Sequence, residues 1–180
     1  MTGQKETIDV LLAESFKELA CRQPIEKITI KAITDRAGVI RPTFYNHFQD
    51  KYELLEWIIH TQLIHAGMVD EALMLIFTSV KADGEFYQKA VRLEGQNSFE
   101  QITKKCIENM LLQLIHGKEH VGRKRHPWLT PEHIAQYYAQ SMCFVVVSWI
   151  KSGMTVEPRE ITDIYNYIIT RSMMDVIEEL

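Results

Sequence analysis

The chain has 180 residues, enough for one or two small domains with a hydrophobic core. Its formal net charge of −4 argues against a protein that coats nucleic acid without regard to sequence. The polar N-terminus predicts no secretory signal, and the longest apolar run, 142–150, is too short to span a bilayer. Three isolated cysteines predict reduced thiols in a cytoplasmic protein.

The first predicted element is an amphipathic helix from about Lys5 to Arg22. Apolar and small residues recur in it at spacings of three and four, which place side chains on one helical face. We expect this face to cover the core of a small N-terminal domain. Its members are Ile8, Leu11, Leu12, Ser15, Phe16 and Leu19.

The next stretch, 29–51, predicts two short helices joined by a tight turn. Thr29 is a suitable N-cap, and Ile28 and Ile33 occupy the two positions of a hydrophobic staple around it. Gly38 can adopt the left-handed conformation that ends the first helix, and the second opens with a proline in its first turn. Two helices joined by such a glycine-containing turn are the signature of a helix-turn-helix.

The second helix of this motif has a face suited to the major groove of DNA. Phe44 and Phe48 fall on one side and are predicted to pack inward. The opposite side is small and polar, with large hydrogen-bonding side chains on its flanks, as a recognition helix requires. The DNA contacts predicted from this helix are Arg41, Pro42, Thr43, Tyr45, Asn46 and His47.

The helix that follows predicts a second kind of DNA contact. Asp50 and Glu53 form a capping box, so a helix begins at Lys51. Free backbone N–H groups and the lysine charge at that start would attract a phosphate. Thr29 begins a comparable helix on the other side of the motif. We therefore expect Thr29 and Lys51 to contact the DNA backbone, within a patch of six basic and three acidic residues over 22–51.

These residues together resemble the DNA-binding domain of the TetR family of bacterial transcription regulators. The likeness lies in Ala-Gly-Val at 37–39, Phe-Tyr-x-His-Phe at 44–48 and Lys-x-x-Leu-Leu at 51–55. The family's usual Ser-x-Gly in the recognition helix is replaced at 40–42 by Ile-Arg-Pro. The run 41–57 resembles more closely a branch that includes the activators of dihydroxyacetone kinase operons.

After residue 67 the pattern stays helical, without a convincing alternating strand. Helices are predicted at 70–80, 84–93 and 98–115, the last beginning with a Ser-x-x-Gln capping box. The glycine- and charge-rich stretch 116–128 has no periodicity and predicts an exposed loop.

Four histidines in and near this loop could be offered as a metal site. Their spacing matches no metal-binding signature and the loop is basic, so a solvated loop is the better interpretation. We therefore predict neither a metal site nor a cofactor. The histidines are His116, His120, His126 and His133.

Two long apolar helices are predicted at the end of the chain. The pair Thr130-Pro131 begins a helix that reaches Lys151 and stops at Gly153. Pro158 begins the last helix, which carries a broad apolar stripe as far as Ile177. Because the first of these helices is apolar nearly all round, we expect burial on both of its sides.

We predict that these two helices pair with the same two helices of a second subunit as a four-helix bundle. The family resemblance implies the same dimer. The alternative is a compact monomer in which both helices are interior. The predicted interface residues are Val145, Trp149, Ile161, Ile164, Tyr165, Ile168 and Met173.

By resemblance, the middle of the chain is an effector domain with a ligand pocket among its helices. Aromatic residues and methionines at helical spacing are also typical of an ordinary core. The effector would be a small molecule, or a partner protein, as is thought for members of the activator branch. The residues predicted for the pocket are Phe86, Tyr87, Met110, Tyr138 and Met142.

The predicted fold is all-α, with an N-terminal three-helix helix-turn-helix domain at 1–50 and a C-terminal helical effector and dimerisation domain at 51–180. The helix from 51 links the two. The predicted function is sequence-specific transcriptional regulation by a homodimer on a palindromic operator, without contact with a membrane. No enzyme motif is present. The alternative, a helical interaction module that binds no DNA, leaves the polar face over 41–51 without a purpose.

Overall fold

The computed structural model describes residues 2–65, 72–117, 126–171 and 173–178, with side chains at all of them except 2–6, 64, 65, 72 and 173. Every regular element in these ranges is helical, as the predicted all-α fold requires. The predicted helix start at Asp70, residues 118–125 of the predicted loop with His120, and the side chain of Met173 lie outside the described residues.

Three helices and one short turn form the N-terminal part of the fold. Helix α1 spans Thr2–Arg22, a 3₁₀ turn spans Ile25–Lys27, α2 spans Ile30–Ala37 and α3 spans Arg41–Tyr45. Helix α1 packs along α2, and α2 packs against α3. The buried side chains of this part include Leu12, Phe16, Ile25, Ile28, Ile33 and Phe44.

The apolar stripe predicted for α1 is correct except at its edges. Leu12, Ser15 and Phe16 are buried as predicted, whereas Leu11 is 41% exposed. Asp9, a charged residue outside the predicted stripe, is buried instead. The packed face of α1 is therefore rotated slightly from the face that apolar spacing alone indicates.

Four helices form the middle of the chain. Helix α4 spans Lys51–His65, α5 spans Ala72–Ala82, α6 spans Gly84–Ala90 and α7 spans Phe99–His116. Helix α4 contacts both α1 and α7, and α6 packs against α1. The predicted starts of α4, α6 and α7 agree with these bounds to within one residue, while α6 ends before the predicted residue 93.

A polar network, which we call the junction network, ties α1, α4 and α6 together. Lys17 Nζ lies 2.6 Å from Asp83 Oδ2 and 3.0 Å from Glu14 Oε1. Gln62 Nε2 donates to Asp83 Oδ2 at 3.3 Å, and the buried Tyr87 hydroxyl donates to Gln62 Oε1. Burial lowers the pKa of Lys17, but its bonds to the two carboxylates outweigh burial and raise the pKa above its ordinary value. The lysine is therefore charged at this junction.

The last three helices complete the fold. Helix α8 spans Pro131–Lys151, α9 spans Pro158–Thr170 and α10 spans Met173–Glu178. Thr130 Oγ1 accepts a hydrogen bond from His133 N at 3.3 Å, which confirms the predicted N-cap of α8. Helix α7 packs along α8, and α5 packs along α9.

The prediction of one continuous last helix is wrong, because that helix is interrupted. Helix α9 ends at Thr170, and Arg171 has an extended backbone with φ −104° and ψ 155° before α10 begins. No glycine or proline marks this point, so the sequence carries no signal for the break. The predicted end of α8 is confirmed, since Gly153 has φ 86°.

Packing of the cysteines predicts which thiols react. Burial raises the pKa of Cys106 to about 12 and that of Cys143 to about 11, so at pH 8 about one thiol in a thousand or fewer is ionised. Cys21 is only half-buried, although burial raises its pKa too. We expect iodoacetamide to label Cys21 slowly in the folded protein, and the other two only after unfolding in guanidinium.

Mass spectrometry of tryptic peptides measures this labelling, and Cys21→Ser is the control that should abolish it in the folded protein. Rapid labelling of Cys106 before unfolding would contradict the packing of α7.

Candidate nucleic-acid interface

The helix-turn-helix is built from local signals that the sequence contains. Thr29 Oγ1 accepts a hydrogen bond from Ala32 N at 3.1 Å, which confirms the predicted N-cap of α2. Gly38 has φ 68° and ends α2 in the left-handed conformation. Helix α3 begins after Ile40, with Pro42 in its first turn. The two helices are therefore joined through the predicted glycine turn.

Helix α3 is short, and its inner side is aromatic. It ends at Tyr45 and residues 46–47 form a turn, so Phe48 lies beyond the helix. Phe44 and Phe48 are 0% and 4% exposed, which confirms that both pack inward. Their ring centroids are 5.9 Å apart, and Phe48 meets Trp57 of α4 edge-on at 6.1 Å. An aromatic cluster thus fixes α3 from behind.

The outer side of α3 is open. Arg41, Pro42 and Asn46 are exposed, Tyr45 is 57% exposed, and Thr43 is half-buried. The structure therefore leaves these five predicted DNA contacts accessible to a ligand. Their contact with DNA stays a prediction.

The sixth predicted contact, His47, is largely buried and already has a partner. Its Nδ1 lies 2.6 Å from Asp9 Oδ1, and the two side chains are 11% and 13% exposed. This bond leaves Nε2 as the ring nitrogen that could meet DNA. Sequence analysis missed Asp9, whose only signal is a carboxylate between the apolar residues Ile8 and Val10. Asp9 therefore belongs to the site as a residue that positions His47.

The start of α4 is capped as predicted, with one difference. Asp50 Oδ1 accepts hydrogen bonds from Tyr52 N at 2.7 Å and from Glu53 N at 2.9 Å. Glu53 returns a bond to the backbone N–H of Gln49, one residue earlier than in the usual box. The predicted helix start is confirmed.

The side chain of Lys51 already has partners, although its position at a helix start suggested that it would be free to meet a phosphate. Its Nζ donates to the backbone carbonyls of Ile25 and Glu26 at 2.8 Å each, and of Ile28 at 2.9 Å. These three bonds use the three donors of an ammonium group. Burial lowers the pKa of Lys51, against the attraction of Glu26 and Asp50. The Lys51 ammonium is therefore a clamp on the 3₁₀ turn, which the sequence could not show, while its phosphate contact stays a prediction.

The predicted basic patch over 22–51 has fewer available cations than its six basic residues suggest. Lys31 Nζ lies 3.0 Å from Asp35 Oδ2, and Arg36 pairs with Glu18. With Lys51 held by carbonyls, three of the six cations are occupied. Of the six cations of this patch, the exposed ones without an ion pair among the described residues are Arg22, Lys27 and Arg41.

The predicted dimer surface is partly core. Trp149, Ile161 and Tyr165 are 3%, 8% and 3% exposed, so they pack within their own chain, and their prediction as interface residues is corrected. Trp149 meets Phe77 edge-on at 5.2 Å and donates from Nε1 to Val156 O at 2.9 Å. Burial raises the pKa of Tyr165 to about 12. An apolar stripe shows that a face is covered, but not which chain covers it.

Other side chains of the predicted surface do remain open. Ile164 and Ile168 on α9 are 41% and 45% exposed, and Val145 on α8 is half-buried. On α8, Tyr137 and Phe144 are 73% and 68% exposed, although they were not predicted as interface residues. Their signal was the all-round apolar composition of α8.

These exposed aromatics line a shallow groove of about 610 Å³ at the N-terminal half of α8. The indole of Trp128 stacks on His133 with centroids 4.6 Å apart, and His133 Nδ1 lies 2.6 Å from Trp128 O. His133 is therefore engaged in holding the start of α8. Among the described residues, no group of three or more histidines, cysteines or carboxylates is placed to hold a metal ion.

None of the five residues predicted for an effector pocket lines either of two cavities that the described residues form. Phe86 and Tyr87 are 2% exposed and fill the core beside α1, while Tyr138 is 44% exposed. Met110 and Met142 are half-buried against the core. A cleft of about 520 Å³ lies elsewhere, between the α6–α7 connection and the end of α8. Its charged and polar lining residues are Gln88, Arg92, Glu94, Ser98, Glu100 and Lys151.

Comparison with known proteins gives two family matches. The model described as bacterial regulatory proteins, tetR family, matches residues 15–58. The model described as transcriptional regulator C-terminal region matches residues 69–171. In the described part of the chain, no helix combines the length and the apolar character needed to cross a membrane.

Individual relatives agree with these matches. The chain is 28% identical over 155 residues to the HTH-type dhaKLM operon transcriptional activator DhaS of Lactococcus lactis subsp. lactis (strain IL1403), covering 82% of this chain and 81% of that protein. A solved dihydroxyacetone kinase operon activator DhaS is similar over 91% of this chain and 92% of that one, with TM-score 0.59 and 25% identity. The fold is also similar to native NalD, the secondary repressor of the MexAB-OprM multidrug efflux pump in Pseudomonas aeruginosa. That likeness has TM-score 0.55 and 16% identity over 92% of this chain and 96% of NalD.

The family matches cover both the helix-turn-helix and the helices that follow α4. They confirm the resemblance that rested on the short motifs between residues 37 and 57. Effector control is typical of such regulators. The chain therefore belongs to the TetR family of DNA-binding bacterial transcriptional regulators, with an N-terminal helix-turn-helix and a C-terminal helical domain.

Proposed function

We propose that this chain binds a palindromic operator as a homodimer and that α3 reads the bases. The observation that carries the proposal is the polar outer side of α3, backed by buried Phe44 and Phe48. A short helix divided in this way can enter a major groove while its inner side holds it to the domain. In this proposal residues 1–50 bind DNA, and residues 51–180 dimerise and receive the controlling signal.

The exposed side chains divide between bases and phosphates. Arg41 and Asn46 carry planar donor groups that match guanine and adenine edges, and Thr43 lies between them. Tyr45 and the Nε2 side of His47 lie on the flanks, where they suit phosphate oxygens. Asn46 lies on the side of α3 opposite Phe44, whereas Arg41 reaches the duplex from the start of the helix.

Two further predicted contacts depend on the backbone. The Thr29 hydroxyl already caps α2, so its contact with DNA comes from the N–H groups of the first turn. Pro42 has no N–H, so its exposed ring offers van der Waals contact alone.

Dimerisation follows from the open apolar side chains of α8 and α9. Tyr137, Phe144, Ile164 and Ile168 are each more than 40% exposed. A monomer rarely leaves a run of large apolar side chains in water, because their burial stabilises association at about 25 cal/mol per Å². The occupant that we propose is a second copy of the same two helices. Two copies related by a two-fold axis can then place their α3 helices in successive major grooves.

The controlling signal acts on residues 51–180 in this proposal. A small-molecule effector is the first candidate, and a partner protein is the alternative. The likeness to DhaS, whose name describes an operon activator, favours activation over repression. The proposal places the protein in the cytoplasm, where promoter DNA is available, and assigns no catalytic reaction to it, since the relatives are transcription regulators.

A gel-shift experiment tests the function directly. The chain's own promoter region is the first probe, with a scrambled duplex of equal length and heparin as competitors. We expect a shifted complex with promoter DNA that survives heparin, and a footprint with two-fold symmetry. Equal retention of promoter and scrambled duplex would contradict sequence-specific binding.

Asn46 provides a test of base reading. Asn46→Ala should weaken operator binding by about 1–3 kcal/mol, because a side chain that meets a base edge is lost. Binding to scrambled DNA should change little. Fluorescence anisotropy with both duplexes measures the difference, and Asn109→Ala, at an exposed position on α7, is the matched control. Equal weakening on both duplexes would show that Asn46 does not contact a base.

Substitution of Lys51 distinguishes a clamp on the 3₁₀ turn from a phosphate contact. If its ammonium holds three carbonyls, Lys51→Ala should lower the free energy of unfolding by about 1–3 kcal/mol, because buried acceptors lose their donor. The salt dependence of DNA binding should keep its slope. Urea denaturation and a salt titration measure the two quantities, with exposed Lys27→Ala as the control. Unchanged stability with a slope reduced by about 0.9 per contact would restore the phosphate role.

A charge introduced into the proposed dimer contact tests the dimer surface. Ile168→Glu should break the dimer and weaken operator binding together, because a carboxylate in an apolar contact is costly. Leu75→Glu is the control, since Leu75 is 46% exposed on α5, a helix that is not assigned to the dimer surface. Sedimentation should give about twice the 21.0 kDa chain mass for the wild type and the control, and the chain mass for Ile168→Glu. A monomeric wild type at micromolar concentration would contradict the dimer.

A further inference from the structure

Ile40 is an apolar side chain in an unexpected place. It is 69% exposed, more than any other isoleucine, leucine, valine or methionine in the described part of the chain. It lies directly before α3, beside the exposed residues Arg41 and Pro42. It was not among the DNA contacts predicted from the sequence.

The position of Ile40 is fixed by the backbone rather than by its side chain. Its carbonyl accepts hydrogen bonds from Thr43 N at 3.0 Å and Phe44 N at 3.4 Å, so the residue is the N-cap of α3. Its φ of −88° and ψ of 154° are ordinary extended values. The backbone therefore holds this side chain at the start of α3 without strain.

Among the other helix starts that the structure describes, those of α6 and α9 also have no side-chain cap, whereas four do. A side-chain oxygen accepts a backbone N–H bond at the starts of α2, α4, α7 and α8. The residues that do so are Thr29, Asp50, Ser98 and Thr130. Ile40 can form no such bond, so α3 lacks the stabilisation of a cap and also exposes apolar surface to water. A side chain that neither caps its helix nor is buried does not help the chain to fold. We infer that this side chain contacts another molecule.

Ile40 is also separate from the surface assigned to the dimer. The other exposed apolar side chains include Tyr137, Phe144, Ile164 and Ile168. These four lie on α8 and α9, in the C-terminal third of the sequence. The residues around Ile40 are instead those of the polar outer side of α3. Ile40 and Arg41 are adjacent and both exposed at the start of α3, so a duplex that meets Arg41 lies within reach of Ile40.

The floor of the major groove has one prominent apolar group, the C5-methyl of thymine. Apart from the small C5–H of cytosine, the other edge groups there are hydrogen-bond donors or acceptors, which an isoleucine cannot satisfy. We propose that Ile40 is a specificity-determining residue that packs on a thymine methyl in each operator half-site. This inference rests on the proposed function, and it names the chemical group that this side chain recognises.

Uracil provides the test, because it pairs like thymine but lacks the methyl group. The probe is a duplex selected by the wild-type protein from a random-sequence pool, in which symmetric pairs of thymines are replaced by uracil one pair at a time. Loss of one buried methyl contact should weaken binding about fourfold per half-site, or about fifteenfold for a dimer. One replaced pair, close to the bases that Arg41 contacts, should show this loss with the wild-type protein.

The variant Ile40→Ala, combined with the uracil duplexes, gives a double-mutant cycle for the contact between Ile40 and the methyl group. It should bind the thymine operator about as weakly as the wild type binds the uracil operator, and it should not respond to that uracil pair. Ile40→Val, which keeps most of the apolar surface, should keep most of the response. A thermal melt should give Ile40→Ala the wild-type midpoint, because the removed atoms are exposed.

Two outcomes would overturn the inference while leaving the proposed function intact. In one, the wild type selects an operator but no uracil pair near α3 changes its affinity. In the other, Ile40→Ala retains the full response to uracil, which assigns the methyl contact to another residue. If the wild type selects no sequence from the pool, the proposed function fails, and the inference fails with it.

Discussion

The ammonium group of Lys51 is the constraint on which the DNA-binding end depends. Three carbonyl oxygens, from Ile25, Glu26 and Ile28, converge on it within 2.9 Å. Those carbonyls belong to the 3₁₀ turn and the segment that leads into Thr29, so the first residue of α4 fixes the point from which α2 starts. Burial lowers the pKa of this lysine, but three acceptors without a donor would cost more than one partly buried charge. The geometry of the reading surface is therefore set from the linking helix.

Helix α3 could not form alone, because five residues are far too few for a stable helix in water. Its conformation is imposed by tertiary contacts on three sides. Phe44 is fully buried in the core, Phe48 packs on Trp57, and the buried carboxylate of Asp9 holds His47. The polar side chains that face outward are consequently carried on a rigid base. The proposed recognition of DNA by α3 therefore depends on where its side chains are held as well as on their chemistry.

Signals within four residues were predictable from the sequence, whereas partners across the fold were not. The caps at Thr29 and Thr130 and the turn at Gly38 depend on neighbours in the chain, and all three are confirmed. A lysine at a helix start suits a phosphate or a carbonyl equally, so the clamp of Lys51 needed the fold to be seen. Apolar periodicity marked Trp149 as covered, but could not say that its own chain covers it.

The junction network affects what a salt titration of this regulator can measure. The side chains of Lys17 and Asp83 are 17% and 33% exposed, so salt screens their ion pair in part. This pair joins α1, which supports the reading helix, to the corner between α5 and α6. Added salt therefore weakens the junction as well as the contacts with the duplex. The slope of log K against log salt is then an upper bound on the number of phosphates neutralised, not a count of them.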